Sequence, residues 1–126
     1  MSPEAGRLLG KAGHALHAAE VLLAAGEPDF AAGRCYYAMF YAAEALLVDD
    51  GQRFRKHSAV HAAFGERFVR AGRIDAKLHR WLLDAFDKRI VADYDIEYAL
   101  ATEDVQEMIR QAREFIAAAS GVLNPA

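Results

Sequence analysis

Alanine occupies 27 of the 126 positions, whereas valine, isoleucine and threonine together occupy only 13. Alanine is the best helix former, and β-branched side chains are the ones that suit a pleated sheet. The imbalance predicts an all-α fold. Hydrophobic residues make up 54% of the chain, too many for a disordered segment. A chain of 13.9 kDa is expected to fold as one domain over residues 1–126, with about 6,700 Å² of folded surface.

Helix breakers divide the sequence into segments. A first helix is expected from Pro3 to Ala25, with Pro3 in its first turn and Gly26 beyond its end. Its apolar stripe reads Leu9, Ala12, Leu16, Ala19, Leu23. Gly6, Gly10 and Gly13 weaken its first half by about 1 kcal/mol each relative to alanine. A second helix starts near Pro28 or Asp29 and ends at Gly51; it is apolar nearly all round, as a central helix should be. The loop GQRFRK follows, and a third helix is predicted from Ser58 to Gly72 on Val60, Phe64 and Phe68. Asp75 suits the N-cap of a fourth helix whose stripe is Leu78, Leu82, Ala85 or Phe86, then Arg89 or Ile90. A fifth begins at Thr102 and is ended by Gly121 and Pro125. The stretch Asp93 to Ala101 reads as a bend or as continued helix. The predicted architecture is a four- to five-helix up-and-down bundle.

Composition narrows the functional classes. The net charge of −3 provides no global field for nucleic acid, though a local basic patch remains open. One cysteine, Cys35, excludes disulfide scaffolds and cysteine-based zinc sites. Charged residues interrupt the N-terminal segment and no 18-residue apolar run exists. The expectation is a cytoplasmic protein without membrane contact. Neither His57/His61 nor His14/His17 has an evident third ligand, so no metal site or cofactor is expected.

Several residues do not fit a plain bundle. The second helix carries an ordinary core stripe, Tyr36, Phe40, Ala43, Leu47. Beside it runs Arg34, Tyr37, Tyr41, Glu44, Val48. That second stripe is either a boundary whose polar tips reach solvent, or a hydroxyl-lined groove or interface. In KRIVADYD, Arg89 stands where a core residue is expected, with Asp93 four residues on. The pair is either an ordinary ion pair or a guanidinium held for an anion such as phosphate. Arg53, Arg55, Lys56 and His57 form the one concentrated basic patch, a local candidate for phosphate contact.

The run GRCYYAMFYAAEALLVDDG, then KHSAV…FGERFV, then KRIVADYD, resembles the small single-domain HEPN proteins of bacteria and archaea. The resemblance covers about residues 30 to 95. It implies an α-helical bundle, commonly a homodimer, often paired with a minimal nucleotidyltransferase in toxin–antitoxin systems. Many such proteins are metal-independent endoribonucleases with an R-x4-6-H motif, and the partner can modify a nearby tyrosine. Arg89 matches the motif arginine. No histidine follows His79, and Tyr94 stands where the motif histidine would fall, with Asp93 beside it. A tyrosine with a reference pKa of about 10 is a poor base at neutral pH.

Three functions follow from this resemblance. The first is an RNA- or nucleotide-binding partner of a nucleotidyltransferase, with Arg89 on phosphate, Asp93 orienting it and Tyr94 hydrogen-bonding or modified. The second is a ribonuclease with a non-standard R-x4-Y site at a dimer cleft, in which His57 supplies acid–base chemistry. The third is a non-catalytic dimerisation or partner-binding module, with Tyr37 and Tyr41 at its interface.

Overall fold

The computed structural model describes residues 1–97 and 99–125. Five α-helices run through it: α1 (Pro3–Ala24), α2 (Pro28–Asp49), α3 (His57–Phe64), α4 (Ala76–Tyr94) and α5 (Thr102–Leu123). A π-helical turn, Gly65–Val69, continues α3. No strand occurs among the described residues, and the fold is an all-α bundle. The accessible surface is 6794 Å², close to the area expected from mass.

The helix ends follow from local chemistry. Ser2 caps α1, its hydroxyl accepting from the Ala5 amide at 3.1 Å, and Pro3 follows in the first turn. Asp75 caps α4 by accepting from the Lys77 amide at 2.9 Å. Gly26 and Gly51 both adopt φ +79°, a left-handed conformation that costs glycine little. At each, the next residue's amide reaches back into the helix, Glu27 to the Leu22 carbonyl and Gln52 to the Leu47 carbonyl.

α2 is the central element, packed against α1, α3, α4 and α5. Thirteen of its 22 residues are buried, so it has no continuous polar face. α1 corrects the expected stripe. Its buried residues are Ala5, Ala12, Ala15 and Ala19, while Leu9, Leu16 and Leu23 flank them half-buried. Small side chains at the centre let α1 lie close on α2, and the leucines fill the margins.

Two boundaries also differ from expectation. The predicted third helix is α3 plus the π-helical turn, and the His79 ring occupies the space beside Gly65. α5 runs through Gly121 to Leu123. α4 ends at Tyr94, and the chain turns extended at Asp95. The Leu100 amide then donates to Asp29 Oδ1 at 2.9 Å, tying this segment to the start of α2. Among the described residues, no helix is long and apolar enough to cross a membrane.

Candidate functional site

Tyr36 lies at the centre of the bundle, fully buried on α2. A buried phenol needs a partner for its hydroxyl, and α3 supplies two. His57 and His61, one turn apart, both face it. The Tyr36 oxygen is 2.7 Å from His57 Nδ1 and 2.8 Å from His61 Nε2. Phe40 stacks on the His57 ring at 4.2 Å between centroids. Phe86 of α4 meets the His61 ring edge-on at 5.1 Å. His79 Nε2–H donates to the His61 carbonyl at 3.0 Å, fixing the helix turn that carries His61.

This setting shifts the titration of Tyr36, His57 and His61. Burial, with the neighbouring His57 and His79, pushes His61 down to about 4. Burial and then the Arg89 charge lower His57. Burial and the adjacent Tyr37 raise Tyr36, with the Arg89 charge opposing. Both imidazoles are therefore neutral at pH 7.

Arg89 approaches the same cluster from α4. Its guanidinium carbon is 5.1 Å from the Tyr37 ring centroid and 5.9 Å from that of Tyr36. Its stem passes over Gly33, where a Cβ would meet Arg89 Cγ at 3.8 Å. Arg34 reaches the Tyr37 ring as well, at 4.9 Å. Both cations thus lie about one tyrosine ring. Asp93 Oδ2 pairs with Arg89 Nε at 3.2 Å. Among the described residues, the terminal nitrogens of Arg89 have no hydrogen-bond partner, which leaves the planar fork free for an anion. The side chain is only 20% exposed, so an anion there would meet a guanidinium largely stripped of water.

The remaining sequence-predicted residues are spread more widely. Tyr41 packs on Tyr37 at 5.5 Å between centroids and carries Lys11 over its ring at 4.6 Å. Lys11, His14, Arg34 and Tyr41 line a shallow groove of about 200 Å³ between α1 and α2. Tyr94 is 76% exposed at the end of α4. Arg53 turns away to Glu4, with Nη2 2.6 Å from Oε2. Arg55 and Lys56 are exposed and form no ion pair among the described residues. Of the predicted basic patch, His57 alone enters the cluster.

Two members of the cluster escape the sequence reading. Tyr36 reads there as ordinary core, and His61 as half of a histidine pair without an evident third metal ligand. The available signal was an i, i+4 histidine pair opposite a helix with two adjacent tyrosines, of which one must be buried.

A family model described as "HEPN domain" matches residues 5–122. A UPF0332 protein of Gloeobacter violaceus is 35% identical over 92% of this chain and 93% of its own. A UPF0332 protein of Thermotoga maritima is 36% identical over 84% of this chain and 80% of its own. A Methanocaldococcus jannaschii protein, named as a candidate toxin, is 32% identical over 87% of this chain and 75% of its own.

Proposed function

The chain belongs to the HEPN-domain family, and from that premise we propose that it is the RNA- or nucleotide-binding component of a toxin–antitoxin-like pair. Its partner in that pair is a nucleotidyltransferase. The observation that carries the binding role is the placement of Arg34 and Arg89 about the Tyr37 ring. Two cations beside an aromatic face suit a phosphate with a base stacked nearby. Asp93 orients Arg89 through its Nε, and Tyr94, exposed at the end of α4, is open to hydrogen bonding or modification. The test is binding of labelled RNA and of free nucleotides to the wild type and to Arg89→Ala. Loss of binding in a folded Arg89→Ala supports the reading; unchanged binding overturns it.

A second reading is favoured by one feature, the position of His57. It contributes a histidine to the arginine cluster from α3, where α4 has none after Arg89. In a metal-independent cleavage the ribose 2′-oxygen would attack the adjacent phosphorus. The P–O5′ bond would break, giving a cyclic phosphate and a 5′-hydroxyl. His57 would move a proton at one of these oxygens, and Arg89 would neutralise the phosphorane charge. Two copies of the chain would form the cleft. Incubation with labelled RNA in EDTA decides: intact RNA after prolonged incubation removes this reading and leaves the binding role.

A further inference from the structure

A pocket of about 270 Å³ opens toward the C-terminal end of α2. Its Glu44 stands about three helical turns beyond Gly33, where the Arg89 stem crosses, so the pocket is separate from the arginine cluster. The floor is apolar: Leu8 of α1, Leu47 and Val48 of α2, Phe54 of the following loop and Val60 of α3. Leu47 and Val60 are each only 1% exposed, so this floor belongs to the packed core and keeps its shape. The volume lies just under the roughly 300–1,000 Å³ usual for ligand sites, which suits a molecule of one ring. Two carboxylates stand at the wall, and they differ. Glu4 is already neutralised, because Arg53 Nε and Nη2 both donate to its Oε2, at 3.1 and 2.6 Å. Glu44 has no such partner. Among the described residues its carboxylate accepts no hydrogen bond and pairs with no cation, yet neither of its oxygens is sealed from solvent. Lys11, on the turn after Leu8, lies over the Tyr41 ring at 4.6 Å instead.

We propose that this pocket binds a small organic ammonium ion, its charged head on the Glu44 carboxylate and its apolar body on Leu8, Val48 and Phe54. The N–H donors of the head take up the free lone pairs of the carboxylate, and the body covers the apolar floor. A half-buried carboxylate without a partner costs free energy, which a bound cation recovers. The titration of Glu44 agrees: burial raises it, the Lys11 charge opposes this, and the Glu4 charge adds to it. An anion would be repelled by the same charge, and a neutral apolar molecule would leave it unpaired. A bare divalent cation would find one free carboxylate and an apolar wall, too few oxygen ligands to hold it. This site is independent of the phosphate-binding reading above.

The probe is phenethylammonium, with 2-phenylethanol and 3-phenylpropanoate as its uncharged and anionic counterparts. Each is titrated into 15N-labelled protein at pH 7.5 and followed by amide correlation spectra. The ammonium is expected to shift the amides of Leu8, Val48 and Phe54 and to bind about tenfold tighter than the alcohol, while the carboxylate gives no saturable shift. Equal affinity for ammonium and alcohol overturns recognition by charge, without any variant. Shifts that never saturate, or that fall away from these residues, overturn the site. Glu44→Gln keeps the side-chain shape and removes the charge. In that variant the advantage of the ammonium over the alcohol is expected to vanish, with the affinity for the alcohol unchanged. An advantage that persists in folded Glu44→Gln overturns the role of Glu44.

Discussion

The guanidinium carbon of Arg89 stands 5.1 Å from the centre of the Tyr37 ring. This contact joins the end of α4 to the second, polar-tipped stripe of α2. It settles how an arginine occupies a core position: the stem packs over Gly33 and the head lies on aromatic faces. A lysine could supply the charge but neither the planar stack nor the fork of donors. Arg89→Lys is therefore expected to weaken RNA or phosphate binding by about tenfold. Stability should change by less than about 1 kcal/mol, since Asp93 is a partly exposed partner. Fluorescence anisotropy with labelled RNA and urea denaturation measure the two effects. Equal affinity for the Lys variant would show that charge alone matters there.

Acid should loosen the fold through His61. In the unfolded chain this imidazole titrates near its ordinary value of 6.5; in the folded chain it is held at about 4. Above pH 6.5 both states are neutral and the group adds no pH dependence. Between 6.5 and 4 the unfolded chain binds a proton that the native chain refuses. Stability therefore falls as pH falls, by up to about 3 kcal/mol, and this contribution is flat below 4. His57, also lowered, acts in the same direction. Urea midpoints at pH 7, 6, 5 and 4.5 should drop in the wild type, and drop less in His61→Gln. The same slope in both proteins would assign the acid sensitivity to other groups.

Cys35 is expected to be inert in the native state. It is fully buried on α2, and burial pushes its thiol up to about 12. A disulfide reagent at pH 8 should label none of it in buffer and all of it in urea. Rapid labelling under native conditions would mean that α2 opens locally.

The legible parts of this molecule are those governed by one-dimensional pattern. Pro3, Gly26, Gly51 and Asp75 mark helix ends by local backbone chemistry, and each does so in the structure. Val60, Phe64 and Phe68 lie on one buried face, as their spacing predicts. On α1 the expected stripe includes the buried Ala12 and Ala19 but not Ala5 and Ala15, because hydrophobicity ranks leucine above alanine while close helix packing selects the smaller residue. The cluster was half legible. Arg34, Tyr37 and Arg89 stand out as polar residues in apolar stripes. Tyr36 does not, because a buried tyrosine scores as core until the partner of its hydroxyl is known. That partner lies 21 and 25 residues away, on another helix. No spacing within α2 encodes it.

Gly65 is where the π-helical turn meets the cluster. A Cβ built there would lie 2.9 Å from His79 Cε1 and 3.0 Å from His79 Nε2. That ring is not free to swing, because its Nε2–H donates to the His61 carbonyl. Alanine in an ordinary helix gains about 1 kcal/mol over glycine. Overpacking against a held ring costs about 1–3 kcal/mol, so the clash should win. Gly65→Ala is expected to destabilise the protein by about 1 kcal/mol net and to disturb the His61 imidazole signals. In a His79→Ala background the obstacle is gone, and the same substitution should be neutral or stabilising. A double-mutant cycle by urea denaturation measures the coupling. If Gly65→Ala stabilises the wild type as much as it does His79→Ala, the His79 ring is not what keeps this position glycine.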